Sequence, residues 1–108
     1  MLTNIVSSLL LVASWEHHSF DGKLMANGQR YNPNALIAAS WEFPLNSFVR
    51  VEDLHNHLSV VVEITDRPNE RFRGKRIDLS PAAFEKLNSL PLGVCDVRVA
   101  PAIKNLQK

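Results

Sequence analysis

The stretch Leu58-Ser59-Val60-Val61-Val62-Glu63-Ile64-Thr65-Asp66-Arg67 decides the fold, together with Gly74-Lys75-Arg76-Ile77-Asp78-Leu79-Ser80, to which a polar, arginine-rich connection joins it. The first half is rich in β-branched residues and bounded by turn-formers. It therefore reads as a strand, with Val60, Val62 and Ile64 on one face and Val61 and Glu63 on the other. Asp66 keeps the parity of the buried face, so a carboxyl group is expected to leave the strand on its core side. Partial desolvation of a carboxyl favours its protonated form, which is the form a general acid needs.

Outward from this stretch, the bulk properties are those of one globular domain. A chain of 108 residues can bury a core of its own but not two. An apolar content of 45% and a charged content of 21% exclude wholesale disorder. The net charge of +1 supplies no global attraction for nucleic acid. The single cysteine, Cys95, excludes an internal disulfide and a cysteine-based zinc site. Alternation through Val94-Cys95-Asp96-Val97-Arg98-Val99 sets Cys95 beside Val97 and Val99 on one face, as a small core residue. Ile5 to Ala13 is apolar apart from two serines and ends in small residues, yet no Lys or Arg precedes Lys23. It is too short to span a membrane and lacks the basic start of a signal peptide. Residues 1–12 are expected to be an extra strand or the remnant of an exported leader, and the domain core to run from about residue 13 to residue 100.

In chain order, Val12 to Trp15 is a short strand that runs into the polar segment Glu16-His17-His18-Ser19-Phe20-Asp21-Gly22. Adjacent histidines on a strand point to opposite faces, so His17 and His18 read as solvated loop residues and not as a chelate. Ala26-Asn27-Gly28-Gln29-Arg30-Tyr31 and Asn32-Pro33-Asn34 carry turn signals, which together predict a long shaped loop over the body of the fold. Ala35 to Trp41 and Phe48 to Glu52 are strands, the second with Val49 and Val51 inward. His55 and His57, at i and i+2 in the following hairpin, could share a side. With no third ligand near them in sequence, they read as a polar hairpin tip, and no metal site is expected.

Arg67 to Arg76 holds five of the twelve basic residues. A single-stranded nucleic-acid site would interleave aromatic platforms with such charges, and Phe72 is the only one available, so an anionic glycan or peptide carboxylate is the better partner. Ser80-Pro81 opens the one helix, with Ser80 as N-cap, Pro81 in the first turn and Leu79 stapled to Phe84. Asn88, Ser89 and Pro91 end it, and Val94 to Val99 is the last strand. Asp78, two residues before the helix, is placed to bond loop or helix-start N–H groups. About six short strands, one short helix after Ser80 and long loops make a mainly β chain, best closed as a small barrel.

Val-Val-Val-x-Ile-x-Asp-Arg followed by Gly-x-x-Ile-Asp-Leu-Ser resembles the central signature of the RlpA (rare lipoprotein A) family of bacterial cell-envelope proteins. Ala13-Ser14-Trp15 with Phe20 and Gly22 is similar to that family's opening strand and loop. Ala26-Asn27-Gly28 with Tyr31 is similar to its loop motif Thr-Ala-Asn-Gly-Glu-x-Phe, and Leu36-Ile37-Ala38-Ala39 to its Leu-Thr-Ala-Ala. Pro44-Leu45, Val49-Arg50-Val51 and Leu54 follow in register, so the resemblance covers Ala13 to Val99. It implies a six-stranded double-psi β-barrel, related in fold to expansins, and a septal lytic transglycosylase acting on peptidoglycan in the cell envelope, periplasm or extracellular space.

On that resemblance Asp66 is the general acid/base. Gln29, Tyr31, Ser40, Trp41, Arg67, Arg71 and Asp78 are the substrate-binding candidates, with Trp41 or Tyr31 as sugar platform. Glycan strands are the expected partner, with cell-division proteins as a second. No cofactor, nucleic acid, metal or transmembrane segment is implied, and no lipobox cysteine is present. The departures fall at the chemistry: Gln29 stands where the family has a glutamate, Ser40 where a histidine is frequent, and Pro68-Asn69-Glu70 where Gly-Pro-Phe is usual. They leave open a second expectation, a barrel that binds glycan or a divisome protein without cleaving.

Overall fold

The computed structural model describes residues 8–16 and 20–102. Six strands are present: β1 (Leu9–Trp15), β2 (Ile37–Ala39), β3 (Phe48–Asp53), β4 (Ser59–Asp66), β5 (Arg76–Leu79) and β6 (Val94–Ala102). They close in the order β1-β5-β2-β4-β3-β6 into a double-psi-like barrel, in which β1–β5 and β2–β4 are the parallel pairs. The inward faces follow from period-2 alternation. Leu11 and Ala13, Val49 and Val51, Val60, Val62 and Ile64, Ile77 and Leu79, and Cys95, Val97 and Val99 fill one continuous core. Helix α1 (Pro81–Glu85) closes one end of it with Phe84, as Ser80 Oγ caps Ala83 N–H. Leu79 and Phe84 are both fully buried, as the expected staple requires.

Several details depart from the sequence expectations. β1 begins at Leu9 because its pairing with β6 extends back to Val99. β2 is three residues, not seven, since Ala35 is held in a turn to the Asn32 carbonyl and Ser40 bonds beyond the strand to Asp66. The helix stops at Glu85, and Leu90–Leu92 forms a separate single turn. The largest correction concerns Asp66. Ala38 pairs with Ile64 but Ala39 pairs with Asp66, so Thr65 is an extra residue, a β-bulge. The bulge reverses the parity and puts Asp66 on the outer face beside Ala39, not on the core side. Thr65 is buried instead beneath the Ala26–Tyr31 loop, where its hydroxyl meets Met25 Sδ at 3.2 Å and its carbonyl accepts Asn27 N–H.

The hairpin between β3 and β4 is organised by Asp53, which is fully buried. Its Oδ1 accepts the N–H groups of His55 and Asn56, and its Oδ2 accepts Asn88 Nδ2 from beyond the helix. His55 faces Asp96 and His57 faces Glu52, so the two rings engage different acids at the hairpin tip. Burial pushes the Asp53 carboxyl up, but the bonds from His55, Asn88, Asn56 and Cys95 outweigh it and hold it below the usual range. Burial, and after it the Asp53 charge, pushes the neighbouring Cys95 thiol up to about 12. No helix among the described residues is long and apolar enough to cross a membrane. The expectations for His17 and His18 and for residues 1–7 of the N-terminal segment lie outside the described residues.

Candidate active-site groove

Register across four strands builds the site. Ala39 pairs with Asp66 of β4 on one side and Asp78 of β5 on the other, and Asp78 pairs with Ser14 of β1. Directly paired residues share a face, so Asp66, Ala39, Asp78 and Ser14 form one row on the outside of the barrel. The methyl group of Ala39 leaves a depression between the two aspartates. It opens into a groove of about 270 Å³, lined also by Trp15, Glu16, Phe20, Arg67 to Asn69, Phe72 and Arg76.

Each carboxylate in the groove is held differently. Asp66 Oδ1 accepts two backbone N–H groups, Ala26 at 2.9 Å and Arg67 at 2.8 Å, while Oδ2 takes no hydrogen bond from the described residues. Asp78 Oδ1 accepts the Ser14 hydroxyl and, at 3.0 Å, Arg76 Nε. Its partners are therefore two strand residues and not the helix start, which Ser80 caps by itself. Glu16 extends the row past Ser14, its N–H donating to the Leu79 carbonyl. Burial raises the Glu16 carboxyl to about 8, with the charges of Asp78 and then Asp66 adding to the effect.

The cations of the groove are each already engaged. Arg67 Nη1 donates to the carbonyls of Ser40 and Phe43, and its guanidinium lies 5.6 Å from the Trp41 ring centre. Arg76 stacks 3.9 Å from the centre of Phe72 while bonding Asp78. Arg73 lies 4.1 Å from the Trp41 centre and Arg71 4.7 Å from that of Phe72, on the outer side of the short turn Glu70–Phe72. Stacking of guanidinium on aromatic faces thus orders a loop whose like charges would otherwise repel.

Of the residues singled out from sequence, Asp66, Arg67 and Asp78 line the groove. Gln29 is exposed on the loop that supplies Ala26 N–H to Asp66, its Oε1 accepting Asn27 Nδ2. Ser40 and Tyr31 are buried and do not line the groove, and among the described residues the Tyr31 hydroxyl has no hydrogen-bond partner. Trp41 donates its Nε1 to Pro68 and packs behind the arginine loop. The aromatic surface of the groove is instead Trp15, Phe72 and Phe20, the last 46% exposed. Sequence reasoning passed over Glu16, Phe20 and Arg76. The usable signal was parity, because Glu16 follows Ser14 by two residues and Arg76 precedes Asp78 by two.

Among the described residues, no three His, Cys, Asp or Glu side chains converge as a metal-binding group. The chain is 43% identical over 88 residues to the endolytic peptidoglycan transglycosylase RlpA of Pasteurella multocida, an alignment covering 82% of this chain and 30% of that protein. With the RlpA of Neisseria meningitidis serogroup B it shares 40% identity over 88 residues, covering 81% of this chain and 36% of the relative. The chain thus spans about a third of the length of these curated relatives. Among solved structures, a Streptomyces papain inhibitor superposes with a TM-score of 0.70 at 24% identity, over 90% of this chain and 96% of that one. An expansin of Clavibacter michiganensis in complex with cellohexaose also gives 0.70, at 13% identity over 90% of this chain and 51% of the other. At such identities these two share the fold alone. The lytic transglycolase family profile matches residues 11–99, from the second half of β1 through the core of β6. On the strength of that match and the barrel it spans, the chain belongs to the lytic transglycolase family of double-psi β-barrel domains.

Proposed function

We propose that this domain cleaves peptidoglycan glycan strands in the bacterial cell envelope as a lytic transglycosylase, leaving 1,6-anhydro ends, with Asp66 as its general acid/base. In this chemistry the sugar's own 6-hydroxyl attacks the anomeric carbon, so no enzymic nucleophile is required. What the protein must do is deliver one proton to the leaving oxygen and take one from the 6-hydroxyl, tasks a single carboxyl can perform in turn. The observation that carries the reading is the setting of Asp66: two backbone N–H groups fix Oδ1 while Oδ2 is left for substrate, in a groove lined by the aromatic side chains Trp15, Phe20 and Phe72. Arg71 and Arg73, exposed on either side of the groove residue Phe72 in sequence, suit the carboxylates of stem peptides.

The test uses glycan strands both intact and stripped of their stem peptides, with mass spectrometry for 1,6-anhydro ends. Wild-type protein is expected to produce them, and Asp66→Asn to lose activity by at least about a hundredfold while keeping its fold. Retained activity in Asp66→Asn would remove that residue from the role. Gln29, an amide that cannot ionise where the family has a carboxylate, favours a second reading, a barrel that binds without cleaving. That reading predicts retention on the strands with no anhydro product, weakened when Arg71 and Arg73 are both neutralised.

A further inference from the structure

Among the described residues, Glu16 is the acid of the groove for which no hydrogen-bonding or cationic partner of the carboxyl is found. Asp66 has two backbone N–H donors, and Asp78 has Ser14 and Arg76. Every other charged group of the groove among the described residues is either negative or already engaged. From β4 comes Asp66, from β5 come Asp78 and the Arg76 that it binds, and from the segment after β4 comes Arg67, tied to the Ser40 and Phe43 carbonyls. Across the loop lies Tyr31, whose buried hydroxyl is raised above its ordinary range by burial and then by the charges of Glu16 and Asp21. Among the described residues no cation is paired with Glu16. A half-buried carboxyl in such a place sheds its charge by keeping its proton.

We infer that Glu16 is a second catalytic carboxyl, the proton donor to the leaving glycosidic oxygen, and that Asp66 is left the complementary task of accepting the 6-hydroxyl proton. This rests on the transglycosylase reading and divides its two proton transfers between the two flanks of the Ala39 depression. The step balances within the substrate. The bond from the anomeric carbon to the leaving oxygen breaks as that oxygen takes the Glu16 proton. The bond from the anomeric carbon to O6 forms as the 6-hydroxyl proton passes to Asp66. Both products leave neutral, no water is consumed, and solvent exchange returns Glu16 to its acid form and Asp66 to its anion. The division also accounts for Gln29: a chain whose β1 end supplies a carboxyl to the groove has no need of a second one on the rim loop.

The measurement is the rate of anhydro-end formation against pH for wild type and Glu16→Gln, with binding to the strands followed in parallel. Wild type is expected to lose activity as pH rises through about 8, where Glu16 ionises. Glu16→Gln is expected to bind strands as wild type does and to be slower by about 100-fold or more, its residual rate without that alkaline fall. If the wild type cleaves and Glu16→Gln keeps both the rate and the alkaline limb, Glu16 is not the donor and the transglycosylase reading stands without it. If the wild type makes no anhydro ends at any pH, that reading fails and the inference with it. Should Glu16→Gln not fold, a carbon-13 titration of the wild-type glutamate carboxyls decides the matter. A Glu16 midpoint near 8 supports the assignment, and one near the ordinary 4.5 overturns it.

Discussion

Glu16 and Asp66 carry the same functional group within one groove, and their surroundings separate them. A raised carboxyl binds its proton more tightly in the folded than in the unfolded chain. Its contribution to stability is therefore complete below the unfolded value near 4.5 and is lost as pH rises toward about 8. The loss is of the order of 3–5 kcal/mol if Glu16 retains its burial throughout. Thermal melts should accordingly show wild type weakening between mildly acidic and mildly alkaline pH, with Glu16→Gln largely flat across that window. A wild-type melting temperature that does not change across it would contradict the description of Glu16 as a half-buried acid with no cation paired to it among the described residues. Neither aspartate could be told from Glu16 by residue type alone, since what distinguishes them is which N–H groups and cations reach them across strands.

At the level of elements, the Thr65 bulge and the Asp53 hairpin do most to shape the two ends of β4. The bulge re-aims Asp66 to the outer face, and the Asn27-Gly28 turn then delivers Ala26 N–H to it. Gly28 has φ of 89°, a backbone conformation unfavourable to any side chain. Gly28→Ala should cost about 1–2 kcal/mol and lower turnover with little effect on strand affinity, because it displaces the donor that fixes Oδ1. Denaturant melts and a split of kcat from KM would check this. At the other end, Asp53→Asn would set an amide N–H₂ against N–H donors from His55, Asn56 or Asn88, for a loss of roughly 1–3 kcal/mol. Wild-type Asp53, held below the usual range, contributes stability that is present above about 3.8 and lost as pH falls through its folded value. The mutant should lack that acid limb in urea titrations.

For the molecule as a whole, closure of the barrel depends on pairings between distant segments: β1 with β5 and β6, and β3 with β6. Few local contacts compensate for closing such long loops, so refolding in the range of milliseconds to seconds is expected in stopped-flow measurements. Phe84 fills the end of the core from α1 and is fully buried. Its replacement by alanine should cost about 3–5 kcal/mol, a large part of what a domain of this size possesses. Calorimetry is expected to show either a strongly lowered transition or none. The row of outward residues on β4, β2, β5 and β1 would then lose its alignment, since the barrel alone holds those strands in register.

The sequence by itself determined the strands, their inward faces, the capped helix and the barrel class, because each is written in local terms: period-2 alternation, Ser80-Pro81, Asn27-Gly28. It also singled out Asp66 and Asp78, through the resemblance carried by their neighbours. Only the tertiary structure decided which side of β4 Asp66 occupies, since a bulge is a difference in register between two strands and leaves no mark in one. It alone buried Ser40 and Tyr31, turned Arg67 and Trp41 into supports for the loop, and brought Glu16 to the groove. A side chain's charge state and access depend on groups that approach from other strands, up to 64 residues away in the case of Ser14 and Asp78. That information is created when the barrel closes.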